Sequence, residues 1–366
     1  MTSHALRRDR LRALLAELDE PVDALVVSDL VNIRYLTGFT GSNAALLVVA
    51  GDPSGDRIST DGRYITQVGR QAGDLELIVA RSCPPAVVAH AESLGLRRIG
   101  FESDAVTVDA QQSLLGGLDD ESSQLIGVRG LVQKLREVKD PDEVTLLRRA
   151  CTIGDLALAG IIDQGVIRAG STEREVARAL EWELYRLGAD GIAFETIVAA
   201  GANSAVPHHR PTHAVLADGD FVKIDFGAIA DGYHSDMTRT FVLRRAADWQ
   251  RDVYALVLEA QAAGRAALSP GADLREVDAA ARSVIDDAGH GEDYVHGLGH
   301  GVGLEIHEAP GIGKLAAGTL PCGAAVTVEP GVYLPGRGGV RIEDTLVVTD
   351  GTPDLLTATD KAFTVL

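Results

Sequence analysis

Residues 222–240 read Val222-Lys223-Ile224-Asp225-Phe226-Gly227-Ala228-Ile229-Ala230-Asp231-Gly232-Tyr233-His234-Ser235-Asp236-Met237-Thr238-Arg239-Thr240. Two strand-like runs flank Asp231-Gly232, a dipeptide that suits a two-residue hairpin turn with positive φ at both positions. With that loop, Asp225 is expected opposite Thr238 and Asp236 opposite Gly227. Positions 225 and 227 share a face, so both aspartates emerge on one side of the ribbon. One diagonal step, about 7–8 Å between backbones, separates them. Two carboxylates so placed can converge on a common ion.

Three later segments add chemistry of the same kind. His296-Gly297-Leu298-Gly299-His300-Gly301-Val302-Gly303-Leu304-Glu305-Ile306-His307 is rich in glycine, which in a strand marks close approach of backbone or ligand. Val326-Thr327-Val328-Glu329-Pro330-Gly331 and Val340-Arg341-Ile342-Glu343-Asp344-Thr345 alternate apolar and polar residues, as strands with unlike faces do. A lone acidic residue on a strand usually faces solvent, and a lone histidine usually has a bland role. Asp, Asp, His, Glu and Glu on successive glycine- or proline-bounded strands are not explained so easily. Gathered together, Asp225, Asp236, Glu329 and Glu343 would repel one another severely. Two divalent cations would neutralise them, with His300 as a nitrogen ligand, and would activate a water at neutral pH. Oxygen-rich ligation with one imidazole suits Mn²⁺ first, with Co²⁺, Fe²⁺ or Zn²⁺ as alternatives.

Around this centre the chain reads as two domains. Its 366 residues are long for one core. Residues 1–133 alternate helix and strand patterns, with buried strands expected at Ala24–Val27 and Ala44–Val49 and a helix from Pro84-Pro85 to Leu94. Residues Arg129–Pro141 read as a junction, with the stretch Lys134–Glu143 highly charged. Asp140-Pro141 then caps and opens a helix with Val144, Leu147, Ala150 and Cys151 inward, and Ser171-Thr172-Glu173-Arg174-Glu175 caps another. From Ala193 onward strands dominate, interrupted by one helix over about 252–267.

Composition narrows the function. A net charge of −19 disfavours nucleic-acid partners. The start, Met1-Thr2-Ser3-His4 followed by Arg7, Arg8, Arg10 and Arg12, lacks the apolar run of a signal peptide, and no run is long enough to span a membrane. Cys83, Cys151 and Cys322 fit neither a disulfide framework nor a CxxC metal site. A cytoplasmic location with reduced thiols is the expectation.

The motifs His296-Gly-Leu-Gly-His300, Val328-Glu329-Pro330-Gly331 and Arg341-Ile342-Glu343-Asp344 together resemble the pita-bread metallopeptidases that include aminopeptidase P and prolidase. Asn32-Ile33-Arg34-Tyr35-Leu36-Thr37-Gly38-Phe39-Thr40-Gly41-Ser42 and Thr60-Asp61-Gly62-Arg63-Tyr64 resemble the N-terminal domain of the branch that cuts Xaa-Pro bonds. Methionine aminopeptidases generally lack that domain. The resemblance implies an α+β protein, with a creatinase-like α/β domain at 1–133 and a pita-bread catalytic domain at 134–366. Asp225, Asp236, His300, Glu329 and Glu343 fall on the family's metal positions. Catalytic roles carry over to His208 as a substrate-binding histidine, His296 and His307 beside the metals, Glu329 as proton carrier and Arg341 as support. The implied reaction is hydrolysis of the peptide bond before proline, in a homodimer acting on proline-containing peptides or dipeptides. The alternatives are a metal-free creatinase-like hydrolase and a non-catalytic pita-bread binding protein.

Overall fold

The computed structural model describes residues 3–366; Met1 and Thr2, at the head of the N-terminal stretch read above, lie outside the described residues. The chain divides into two compact units, one ending at Arg136 and one covering Glu137–Leu366. The charged stretch expected to be a junction is largely ordered structure. Helix Leu131–Glu137 runs through its start, burying Val132 and Arg136, and Val138 then bridges to Ala324.

The first unit is built on one six-stranded mixed sheet. Its order is Glu76–Val79, Arg57–Thr60, Ala44–Val49, Ala24–Val27, Arg98–Glu102, Gln124–Val128. The two central strands are buried along their whole length, which is why they read as unbroken apolar runs. Helix Cys83–Ser93 opens with the Pro84-Pro85 pair in its first turn and packs Val87, Val88 and Ala91 against the sheet.

The second unit places pairs of helices over strands in two packed cores. Helices Pro141–Asp163 and Glu173–Arg186 cover the sheet of strands Ile197–Ala200, Phe221–Phe226 and Met237–Val242. Both helices start in complete capping boxes, Asp140 with Glu143 and Thr172 with Glu175. Leu147, Ala150 and Cys151 point inward as expected, whereas Val144 is only half-buried. Helices Asp248–Ala267 and Leu274–Asp287 cover strands Ala325–Val328, Gly338–Arg341 and Asp344–Val347. The reading of a single helix in this region is corrected to two. Among the described residues no helix is long and apolar enough to cross a membrane.

The hairpin register is the expected one. Thr238 lies opposite Asp225, and the ladder resumes near the turn with Ile229 opposite His234 and Ala230 opposite Tyr233. Asp231 and Gly232 both have positive φ, 47° and 80°, as the two-residue turn demands.

Candidate metal centre

Of the five residues selected as metal donors, Asp225 and His300 lie within strands Phe221–Phe226 and Gly299–Gly301, and the other three lie at strand ends. Asp236 directly precedes strand Met237–Val242, Glu329 directly follows Ala325–Val328, and Glu343 occupies the break between Gly338–Arg341 and Asp344–Val347. The polar faces of these strands are buried. Thr238, Thr327 and Arg341 are at most 2% exposed, so the alternation separates two interior environments, a hydrophobic core and a polar cavity.

That cavity, about 340 Å³, is lined by Asp225, Asp236, His300, Glu329, Glu343, Arg341, His208 and His307, with Phe194, Ile197 and Ile306 as apolar wall. Donor atoms of Asp236, His300 and Glu343 all lie within 4.8 Å of one another. His300 Nε2 is 3.5 Å from both Asp236 Oδ2 and Glu329 Oε1. Asp225 is held on Oδ2 by Arg341, while its buried Oδ1 has no hydrogen-bond partner among the described residues. Thr238 Oγ1 donates to Glu343 Oε2 at 2.7 Å and accepts from Arg341 Nε at 3.0 Å. Behind Glu343, Asp344 is locked by Arg239 and Lys361 at 2.8 Å each.

His300 shows what the arrangement lacks. Its Nδ1 faces the Gly301 carbonyl at 3.0 Å, and a carbonyl can only accept, so Nδ1 carries the proton. Burial holds the ring neutral, with its pKa pushed down to about 4. Nε2 therefore presents a lone pair to two carboxylate oxygens, an arrangement that is repulsive unless a proton or a metal cation lies between them. The carboxylates tell the same story. Burial, then the neighbouring carboxylates Glu343, Asp225 and Glu329, raise Asp236 far above its ordinary range. Glu343 is raised by burial and by Glu329 and Asp225. Glu329 is pushed up to about 7 by burial, against the opposing pull of Arg341. One guanidinium does not balance four carboxylates. The donor set fits hard divalent cations.

A pH test follows. A carboxyl with a raised folded pKa holds extra protons in the fold, so its contribution to stability is present below the unfolded value, about 4, and is lost as pH rises through the folded pKa. Metal-stripped protein should lose thermal stability between about pH 5 and pH 8. A divalent cation should restore it most at the upper end, where binding displaces fewest protons. Thermal melts across pH with chelator or with Mn²⁺ measure both.

The other sequence-selected residues divide by location. His307 stacks edge-on to His300, ring centroids 4.5 Å apart, at the cavity wall. His208 is exposed at the same cavity. His209 also lines it, but its Nε2 is tied to Glu173 at 2.8 Å. His296 lies apart from the donor cluster, lining a neighbouring cavity of about 860 Å³. It reaches the centre by relay: Arg341 Nη1 donates to Tyr333 Oη at 2.9 Å, and Tyr333 Oη donates to His296 Nε2 at 2.8 Å. Burial pushes the Tyr333 phenol up to about 12, so it keeps the proton this relay needs. Tyr333, Thr238 and Lys223 were not anticipated from sequence. Thr238 alone carried a signal, as the expected partner of Asp225.

Residues 145–350 match the family model for metallopeptidase family M24, and residues 7–138 match the creatinase/prolidase N-terminal domain. The chain is 32% identical to a Xaa-Pro dipeptidase of Pyrococcus furiosus, covering 97% of this chain and 99% of that one. Among solved structures it resembles a Xaa-Pro dipeptidase from Bacillus anthracis, with TM-score 0.93, 36% identity and coverage of 99% and 100%. It also resembles an X-Pro aminopeptidase from Thermotoga maritima, with TM-score 0.88, 32% identity and coverage of 98% and 100%. The mixed sheet of the first unit, the paired helices over the strands of the second and the acidic cavity now have one explanation: the chain is a member of metallopeptidase family M24, with a creatinase/prolidase-type N-terminal domain followed by a pita-bread catalytic domain.

Proposed function

We propose that this enzyme hydrolyses the peptide bond preceding proline, with two divalent cations, Mn²⁺ foremost, held by Asp225, Asp236, His300, Glu329 and Glu343. The observation that carries the reading is the His300 lone pair facing two carboxylate oxygens amid four carboxylates, three of them buried. When bound, such cations neutralise the carboxylates, polarise a carbonyl and bring the pKa of water toward neutrality.

The protein's own groups account for the rest. Glu329 has 18% of its side chain accessible against 6% for Asp236, so it is better placed to meet substrate. It takes a proton from the attacking water and delivers it to the leaving nitrogen. That nitrogen belongs to a tertiary amide without an N–H, so the proton it receives is what allows it to leave as an amine. His307 and His208 line the cavity and donate to the oxygen that gains charge at the scissile carbonyl. Arg341 fixes Asp225 and, through Tyr333, His296, so the wall and the donor cluster keep one geometry. A metal-free hydrolase on this fold would leave the four carboxylates unneutralised, and the cavity favours the metal-dependent reading over it. We further propose a homodimer in the cytoplasm.

Relatives carry both dipeptidase and aminopeptidase names, so substrate length is an experimental matter. Purified protein should be stripped with chelator and then assayed on Xaa-Pro and Xaa-Pro-Yaa peptides with and without Mn²⁺. The expected result is cleavage before proline that is lost with the metal and regained on its return. Cleavage that survives chelation undiminished, or no cleavage with any divalent ion, contradicts the proposal.

A further inference from the structure

Glu173 is a carboxylate that the chemistry above does not use, yet it is fully buried and makes more hydrogen bonds than any metal-site carboxylate shows. It stands in the first turn of helix Glu173–Arg186. Its Oε1 accepts from Ala200 N and Asn203 Nδ2, both at 2.9 Å. Its Oε2 accepts from His209 Nε2 at 2.8 Å, Thr212 N at 2.9 Å and Thr212 Oγ1 at 2.7 Å. Burial pushes its carboxyl up, but these donors outweigh burial and leave the pKa below the ordinary value, so the group is ionised.

All five donors come from one segment, residues 200–212. After Ala200, which ends strand Ile197–Ala200 opposite Val222, it holds a short 3-10 turn, Gly201–Ala205, and irregular chain outside the strands. Backbone groups in such a segment depend on side-chain partners. On its other side Lys223 Nζ donates to Val206 O at 2.7 Å and Pro207 O at 3.2 Å, and Arg341 Nη1 donates to Pro207 O at 3.2 Å. His208 sits between the two clamps. Its ring makes no hydrogen bond among the described residues, so its place at the cavity is set by its backbone.

We propose that Glu173 is a positioning residue, whose buried carboxylate, with His209 as its partner, holds the 200–212 segment so that the His208 ring meets the substrate. The role of His208 rests on the peptidase reading above; the clamp does not. Its features separate it from a purely structural anchor. It grips the residues on both sides of His208, and it touches no donor of the metal cluster. Loss of the clamp should therefore slow turnover and leave metal binding intact.

The test compares Glu173→Gln, which turns one accepting oxygen into a donor facing Thr212 N–H and His209, in two backgrounds. In the otherwise native chain, kcat should fall about 10-fold or more while KM changes little, as expected when a reacting group is misplaced. In a His208→Asn background the same change should cost less than about 2-fold, because the two residues act as one unit. Mn²⁺ content should be the same in all four proteins. Equal losses in both backgrounds, or activity lost together with the metal, would overturn the proposal. Hydrogen exchange supplies a readout free of the substrate assignment. Glu173→Gln should raise exchange in residues 200–212 and leave strands Phe221–Phe226 and Met237–Val242 protected. Unchanged exchange in 200–212 would overturn the clamp even if the native enzyme cleaves no proline peptide. Should Glu173→Gln fail to fold, His209→Leu removes one of the five bonds from a side chain 13% exposed, and the same pattern is expected at smaller amplitude.

Discussion

Asp236→Asn should abolish peptidase activity and at the same time make the metal-free protein more stable. The two effects share one cause. Asp236 is 5% exposed, and its ionised form is opposed by burial and by three other carboxylates. The carboxamide keeps its shape, sheds its charge and can donate to the His300 lone pair 3.5 Å away. At about pH 8 in chelator, removing one buried like charge should stabilise the fold by about 1–2 kcal/mol. The same change deprives a cation of an anionic ligand. A loss of about 4 kcal/mol of transition-state stabilisation corresponds to about 1000-fold in kcat/KM. Thermal melts with and without Mn²⁺, together with hydrolysis of an Xaa-Pro substrate, measure both. The native protein should gain stability from the metal, and the variant should gain little.

Arg341→Met should act in the opposite direction on stability while also destroying activity. Arg341 is 2% exposed, and its guanidinium joins Asp225, Thr238 Oγ1, Tyr333 Oη and Pro207 O. It is the buried cation bonded to Asp225 at the centre of the cavity, whereas Arg210 at the rim pairs with Glu195. Removing it leaves Asp225 uncompensated, at a cost of about 3–5 kcal/mol in metal-free protein. Turnover should fall by about 100-fold or more, because the scaffold of Asp225, Tyr333 and the His208 segment comes apart together. Arg341→Lys should not rescue it, since one ammonium cannot reproduce a planar fork with several partners. Denaturant melts in chelator and kcat/KM in Mn²⁺ check both parts. The contrast in sign between Asp236→Asn and Arg341→Met is diagnostic of surplus negative charge, which a generic core defect would not produce.

The hairpin was legible because Asp231-Gly232 fixes the register, and register fixes which side chains meet. The convergence of Asp225, Asp236, His300, Glu329 and Glu343 on one cavity was legible because the motifs that carry them are short and rich in glycine or proline. Helix Leu274–Asp287 was not read, although Leu274, Val277, Ala281 and Ile285 face inward along it. Three alanines and six charged residues dilute that stripe. Alternation on the strands carrying Thr327 and Arg341 separates two environments without saying which is outside, and here both are interior. Glu173, Lys223 and Tyr333 gave no local sign. Their partners lie on other segments, such as Thr212 for Glu173 and His296 for Tyr333, and a hydrogen bond across such separations has no sequence period.

The most direct test is calorimetric titration of chelator-stripped protein with Mn²⁺, in parallel for the native chain and Asp236→Asn. Saturable uptake of two ions per native chain, with proton release and a marked loss of affinity in the variant, is the predicted result. No saturable uptake by the native chain, or uptake indifferent to the loss of the Asp236 charge, would contradict it.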